Sequence, residues 1–242
     1  MHVTVMQPKE RIIIALDTSD ESQALGWVRQ LGSNCGAFKV GMQLYAAAGP
    51  QILRKIRDLG REIFLDLKLH DIPTTVAKAT EALISLEPLM LNYHALGGRE
   101  MLRKAAEAAR TSCHKKGLRC PRLLGVTILT SHDQASLNEM NLRTPLPDQV
   151  RLLAQMAHDA SLDGVVASPL EVQIVKDACG KSFLVVTPGI RPMSASPDDQ
   201  SRTMTPSQAL SAGVDYMVIG RPVTHAPDPE AALEGIVQSL IA

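Results

Sequence analysis

The sequence is short of the residues that build several common protein classes. Its formal net charge is zero, from 25 basic and 25 acidic side chains, so no basic excess draws it to nucleic acid or a membrane surface. An anionic ligand must then be met by a few local positive groups. Cysteine is scarce. Cys35, Cys113, Cys120 and Cys179 form no C-x-x-C pair, and no Cys/His cluster has zinc-finger spacing. They read as reduced thiols of a cytoplasmic protein. No apolar run approaches the length of a bilayer span, and the N-terminus lacks the charged and apolar regions of a signal peptide. Low-complexity tracts are absent. The turn after the first apolar run is Asp17-Thr18-Ser19-Asp20, without glycine, which argues against a dinucleotide-binding doubly wound sheet.

What is present is an alternation. Short apolar, β-branched runs at 11–17, 37–40, 62–67, 89–93, 123–128, 164–167, 183–187 and 216–219 read as strands. Longer amphipathic stretches separate them. Helices are predicted at 20–31, capped by Ser19 or Asp20, and at 43–59, with Gly49-Pro50 as an interruption. Others follow at 73–86, 99–116 (stopped by Gly117), 134–140, 147–160, 170–178, 207–212 and 229–241. The Pro-, Ser- and Asp-rich segment 188–206 reads as a loop. Eight strand–helix units in 242 residues predict an α/β chain folded as a single (β/α)8 TIM barrel over 1–242, with a phosphate-side loop at about 190–205. With 45% hydrophobic residues, such a chain buries a core that needs no disulfide or metal staple.

A barrel of this kind carries its chemistry at the C-terminal ends of its strands. Those ends hold a charged set: Asp17, Lys39, then Asp66, Lys68 and Asp71, with Asn92 and His94 after the fourth strand and Thr130-Ser131 after the fifth. Asp66 and Lys68 are two apart, so a regular strand puts both on one face and sends Leu65 and Leu67 to the other. Alone, the pair could be a structural ion pair at a barrel rim. With Lys39 and Asp17 on adjoining strands, so many charges call for a solvated or ligand-bearing site. Asp71 precedes Ile72-Pro73, where a helix begins, which makes it a candidate N-cap. His70 and His94 read as packing or hydrogen-bonding residues.

The order of charges restricts mechanism. Flanking carboxylates favour a protonated Lys68, whereas a Schiff-base lysine needs apolar or cationic surroundings. Lys68 therefore reads as a cation and proton donor, suited to a reaction that builds negative charge on carbon and then protonates it. Decarboxylation is one such reaction. After the seventh and eighth strands come Thr187-Pro188-Gly189-Ile190-Arg191 and Gly220-Arg221. Two glycine-assisted arginines at adjacent strand ends predict a phosphate site, with Gln200 in the loop able to bridge phosphate and the rest of a ligand.

The run D-L-K-L-H-D-I-P at 66–73 closely resembles the signature of the orotidine 5'-phosphate decarboxylase family. The likeness continues through A-L-D at 15–17, F-K-V-G at 38–41, L-T-S at 129–131, T-P-G-I-R at 187–191, D-D-Q at 198–200 and I-G-R at 219–221. It implies a cofactor-free barrel enzyme that converts orotidine 5'-phosphate to UMP and carbon dioxide, acting as a homodimer with sites at the subunit interface. It further implies that Asp17 and Lys39 bind the ribose hydroxyls, Asp66 faces the scissile carboxylate, and Lys68 protonates the C6 carbanion. Asp71 and Thr75 would reach the partner's site. Thr130 would lie near the pyrimidine, and Arg191, Gln200, Gly220 and Arg221 would hold the phosphate end. Thr74 departs from the asparagine common in the family. The shorter D-x-K-x-x-D pattern also occurs in a related sugar-phosphate group. That leaves a metal-dependent sugar-phosphate decarboxylase or synthase as the alternative enzyme, with Asp66 as a metal ligand. A non-catalytic phosphate-binding barrel is the other alternative, and it would not need Lys68.

Overall fold

The computed structural model of the chain describes residues 6–192 and 203–241. Eight parallel strands close into a barrel in chain order, β1 pairing with β8. They are β1 (Ile12–Ala15), β2 (Ala37–Gly41), β3 (Ile63–Leu69), β4 (Met90–His94), β5 (Arg122–Val126), β6 (Gly164–Val166), β7 (Leu184–Thr187) and β8 (Tyr216–Ile219). Helices lie between successive strands, so this is a (β/α)8 TIM barrel.

Alternation along each strand divides the core in two. Ile12, Ile14, Ile63, Leu65, Leu91 and Tyr93 pack outward in the large cluster shared with the helices. Ile13, Ala15, Phe64, Met90, Leu124, Val186 and Val218 form a smaller cluster that fills the barrel interior. The interior is thus plugged by side chains below its mouth. Cys113 and Cys179 are buried in the outer cluster, and all four cysteines are free thiols.

The predicted helices are present with sharper ends. Asp20, rather than Ser19, caps Glu21–Leu31, its carboxylate accepting from the N–H groups of Ser22 and Gln23. The stretch 43–59 divides at Gly49, whose φ of 66° lies in the left-handed region, into Met42–Ala48 and Gln51–Asp58. Left-handed Gly117 ends Arg99–Lys116. A four-residue helix, Arg221–Thr224, was not foreseen. Among the described residues, no helix is long and apolar enough to cross a membrane.

Candidate active site

A cavity of about 480 Å³ opens at the C-terminal ends of the strands. Its lining brings together Asp17, Lys39, Asp66, Lys68, Thr130, Arg191, Gly220 and Arg221 from strands and loops spread over 205 positions of sequence. Phe64, Val126, Val166 and Val218 make part of the wall apolar. A carboxylate–ammonium array from β1 to β3 and the side chains of Arg191 and Arg221 thus share a cavity whose wall is partly hydrocarbon, and burial strengthens the interactions of its least exposed groups.

The charged groups alternate in sign. Lys39 Nζ donates to Asp17 Oδ1 at 2.9 Å and lies 3.5 Å from Asp66 Oδ2. Lys68 Nζ donates to Asp66 Oδ1 at 2.7 Å. The Asp66 and Lys39 side chains are only 11% and 12% exposed, whereas Lys68 is 27% and Asp17 56% exposed. Burial by itself would neutralise Asp66. The charges of Lys39 and Lys68, with hydrogen bonds from Lys68 and Asn92, outweigh it and hold the carboxyl below the usual carboxylate range. Burial likewise opposes the Lys39 charge, and Asp66 and Asp17 overcome it, so its pKa stands above the ordinary lysine value.

Asp66 and Lys68 meet as their spacing predicted, but not on a regular strand. Between β3 and β4 the register shifts: Leu65 pairs with Leu91, yet Leu69 pairs with Tyr93. Four steps along β3 are thus matched by two along β4. The surplus bulges at Asp66–Lys68, and Lys68 takes a φ of 50°, left-handed for a bulky residue. Such a conformation costs about 1–2 kcal/mol. Its N–H donates to Asn92 Oδ1 at 2.8 Å, a bond comparable in size to the strain. Nothing local to Asn92, the middle residue of β4, signals this task in the sequence.

Two of the expected site residues are elsewhere. Asp71 is exposed just past β3, and Thr75 is exposed on the helix Pro73–Ile84; neither lines the cavity of its own chain. Asp71 is also not the helix cap. The N-cap position is Ile72, without a side-chain cap bond, and Asp71 Oδ1 instead accepts from the N–H of Ile72 at 2.6 Å. Proline at the first helical position, with no N–H of its own, lessens the need for a cap. Beside Asp71, Ile72 is 67% exposed. His70 and His94 stack with ring centroids 5.4 Å apart, and burial, then the charges of His70, Lys68 and His132, lower the His94 pKa. That fits packing roles for both.

On the other side of the mouth, Gly189 has a φ of 80°, open to glycine at little cost, and turns the chain toward Arg191. The ends of the following loop are tied by the bridge Ile190↔Met204 and by Arg191 N–H to Met204 O at 2.9 Å. Gln200 lies outside the described residues. Gly220 opens the helix Arg221–Thr224, and a Cβ there would come 3.4 Å from Ala15 and 3.6 Å from Asp17 Oδ2. A Cβ at Gly220 would therefore sit in ordinary van der Waals contact with the end of β1, where the charged array begins.

The chain is similar to known proteins over nearly its full length. The model of the orotidine 5'-phosphate decarboxylase / HUMPS family matches residues 10–236. A protein of Syntrophotalea carbinolica described as orotidine 5'-phosphate decarboxylase is 47% identical over 238 residues, 98% of each chain. One of Geotalea daltonii, with the same description, is 46% identical over 236 residues, again 98% of each chain. Among solved structures, orotidine 5'-phosphate decarboxylase from Lactobacillus acidophilus aligns with a TM-score of 0.83 and 40% identity, covering 96% of this chain and 99% of that one. The chain therefore belongs to the orotidine 5'-phosphate decarboxylase / HUMPS family.

Proposed function

We propose that this chain decarboxylates orotidine 5'-phosphate to UMP and carbon dioxide without a cofactor, as a step of pyrimidine synthesis in the cytoplasm. The observation that carries this reading is the buried Asp66 carboxylate held between two ammonium groups, at 2.7 and 3.5 Å, on the wall of the cavity. A carboxylate so engaged by its own chain's cations is poorly arranged to serve as a metal ligand, and relatives sharing nearly the full length are described as orotidine 5'-phosphate decarboxylases.

In this mechanism Asp17 and Lys39 hold the ribose hydroxyls, and Thr130 lies along the pyrimidine. Arg191, Gly220 and Arg221 take the phosphate, a role proposed also for Gln200. The planar arginine forks suit phosphate oxygens. The substrate carboxylate then faces Asp66. The C6–carboxylate bond breaks, carbon dioxide leaves, and the electron pair stays on C6. Lys68 stabilises that carbanion and donates an Nζ proton to C6, giving UMP; the amine then regains a proton from water. Asp66 stays ionised, so its charge opposes the substrate carboxylate until carbon dioxide departs. The larger share of the rate comes from the Lys68 ammonium, a preorganised positive charge where negative charge develops.

Asp71 and Thr75 serve the site of a second copy in a homodimer. Their exposure on their own chain, next to the exposed Ile72, supports this. Purified wild type and Lys68→Ala, both checked for folding by circular dichroism, test the reading. Wild type should form UMP and Lys68→Ala should lose turnover by several orders of magnitude. Wild-type-like turnover in Lys68→Ala would remove the mechanism.

A further inference from the structure

Asn92 sits on β4 two residues beyond Met90, on the barrel-facing side of the strand, and is fully buried. It stays out of the cavity lining. Both of its side-chain polar atoms are used, and both act on the charged array. Oδ1 accepts the backbone N–H of Lys68 at 2.8 Å. Nδ2 donates to Asp66 Oδ1 at 2.7 Å, the same oxygen that accepts from Lys68 Nζ.

These partners fix the orientation of the amide. A backbone N–H can only donate and an ionised carboxylate can only accept, so the oxygen must face Lys68 and the nitrogen Asp66. Asparagine is the shortest neutral side chain that accepts at one atom and donates at another. Aspartate would accept from Lys68 but would set a second negative charge against Asp66. Leucine would do neither.

The position of Lys68 Nζ depends on a backbone in an unusual state. Lys68 sits in a bulge with a φ of 50°, and such a conformation persists where surrounding contacts hold it. Asn92 supplies one such contact, and the same side chain anchors the Asp66 oxygen that receives the lysine ammonium. A single amide thus ties the acid–base pair at two points, one on the backbone of Lys68 and one on the carboxylate of Asp66.

We infer that Asn92 is a positioning residue: it sets where the Lys68 ammonium and the Asp66 carboxylate point, without touching substrate. The inference rests on the reading of Lys68 as the proton donor. Displacement of a reacting group by about 1 Å costs on the order of a hundredfold in rate. Loss of Asn92 should therefore lower kcat about that far, while contacts to ribose and phosphate, made by other residues, keep ligand binding near wild type.

The test compares wild type, Asn92→Ala, Asn92→Leu, Asn92→Asp and Lys68→Ala, reading kcat and KM for orotidine 5'-phosphate, the Kd of UMP by calorimetry, and folding by thermal melting. Asn92→Asp keeps the volume and the acceptor but loses the donor. It should fall in kcat at least as far as Asn92→Ala, with UMP affinity within about threefold of wild type. If Asn92→Ala does not fold, the near-isosteric and uncharged Asn92→Leu, which lacks both donor and acceptor, still decides. Any folded Asn92 variant keeping kcat within about threefold of wild type would overturn the inference, as would a loss confined to UMP affinity. A role in packing alone predicts that Asn92→Leu, which keeps the volume and adds no charge, behaves as wild type. Failure of the underlying reading looks different: wild type would form no UMP, or Lys68→Ala would turn over normally.

Discussion

Replacing Asp66 by asparagine removes the carboxylate that lies between Lys39 and Lys68, with almost no change in volume. Two ammonium groups then face each other in a partly dry site. At an effective dielectric constant of ~20, the contact at 2.7 Å is worth roughly 6 kcal/mol and that at 3.5 Å roughly 5 kcal/mol. Desolvation offsets much of this, and deleting one partner of a buried pair costs about 3–5 kcal/mol net. For a chain of this length each kcal/mol moves Tm by roughly 2–4 °C, so Asp66→Asn should melt roughly 6–20 °C below wild type. Asp17→Asn is the control. Asp17 also bonds Lys39, at 2.9 Å, but is 56% exposed, so its loss should cost under about 1 kcal/mol. The pH dependence follows from the lowered Asp66 pKa. The folded value lies below the unfolded one, so this stabilisation is complete above the unfolded pKa of about 3.9 and is lost as pH falls through the folded value. The gap between wild type and Asp66→Asn should be full at neutral pH and close in acid. Differential scanning calorimetry or denaturant unfolding measures it. An Asp66→Asn variant that melts within about 2 °C of wild type, or above it, would refute this account of the array.

Other outcomes follow from the same geometry. Lys39 has a folded pKa above its unfolded value, so its contribution is present below about pH 10.4 and fades as pH rises through the folded value; Lys39→Met should flatten the alkaline limb of a urea-unfolding series. Arg221→Ala should weaken the apparent affinity for orotidine 5'-phosphate roughly ten- to a hundredfold, the size of one charge-assisted hydrogen bond, and unchanged affinity would place the phosphate elsewhere. Mixing inactive Asp71→Ala and Lys68→Ala subunits should restore part of the activity, because a hybrid dimer holds one intact site; no recovery would assign Asp71 a purely local role.

The barrel was legible because its strands are short apolar runs bounded by polar turns, and buried parallel strands demand that pattern. Their ends were read to within a few residues. Asp17, Lys39, Asp66 and Lys68 were legible as a group because each lies at or near the C-terminal end of an apolar run, where a barrel places its site, although β2 and β3 continue past Lys39 and Asp66. The left-handed Lys68 was not, since it arises from a register shift against β4 rather than from any local signal in D-L-K-L. The task of Asn92 was hidden for the same reason: its partners lie 24 and 26 positions away and meet it only through strand pairing. Asp71 misled because an acidic residue before Ile-Pro looks like a cap. Here proline opens the helix, and the carboxylate turns back on its own backbone neighbour.

The central claim is that protein side chains alone, with Lys68 as proton donor, carry the decarboxylation. Following the absorbance of orotidine 5'-phosphate with purified protein in excess EDTA tests it most directly, with UMP identified as the product. Full turnover, unchanged by the chelator and lost in Lys68→Ala, is the expected result. Activity abolished by EDTA and restored by a divalent cation would contradict it and favour the sugar-phosphate alternative.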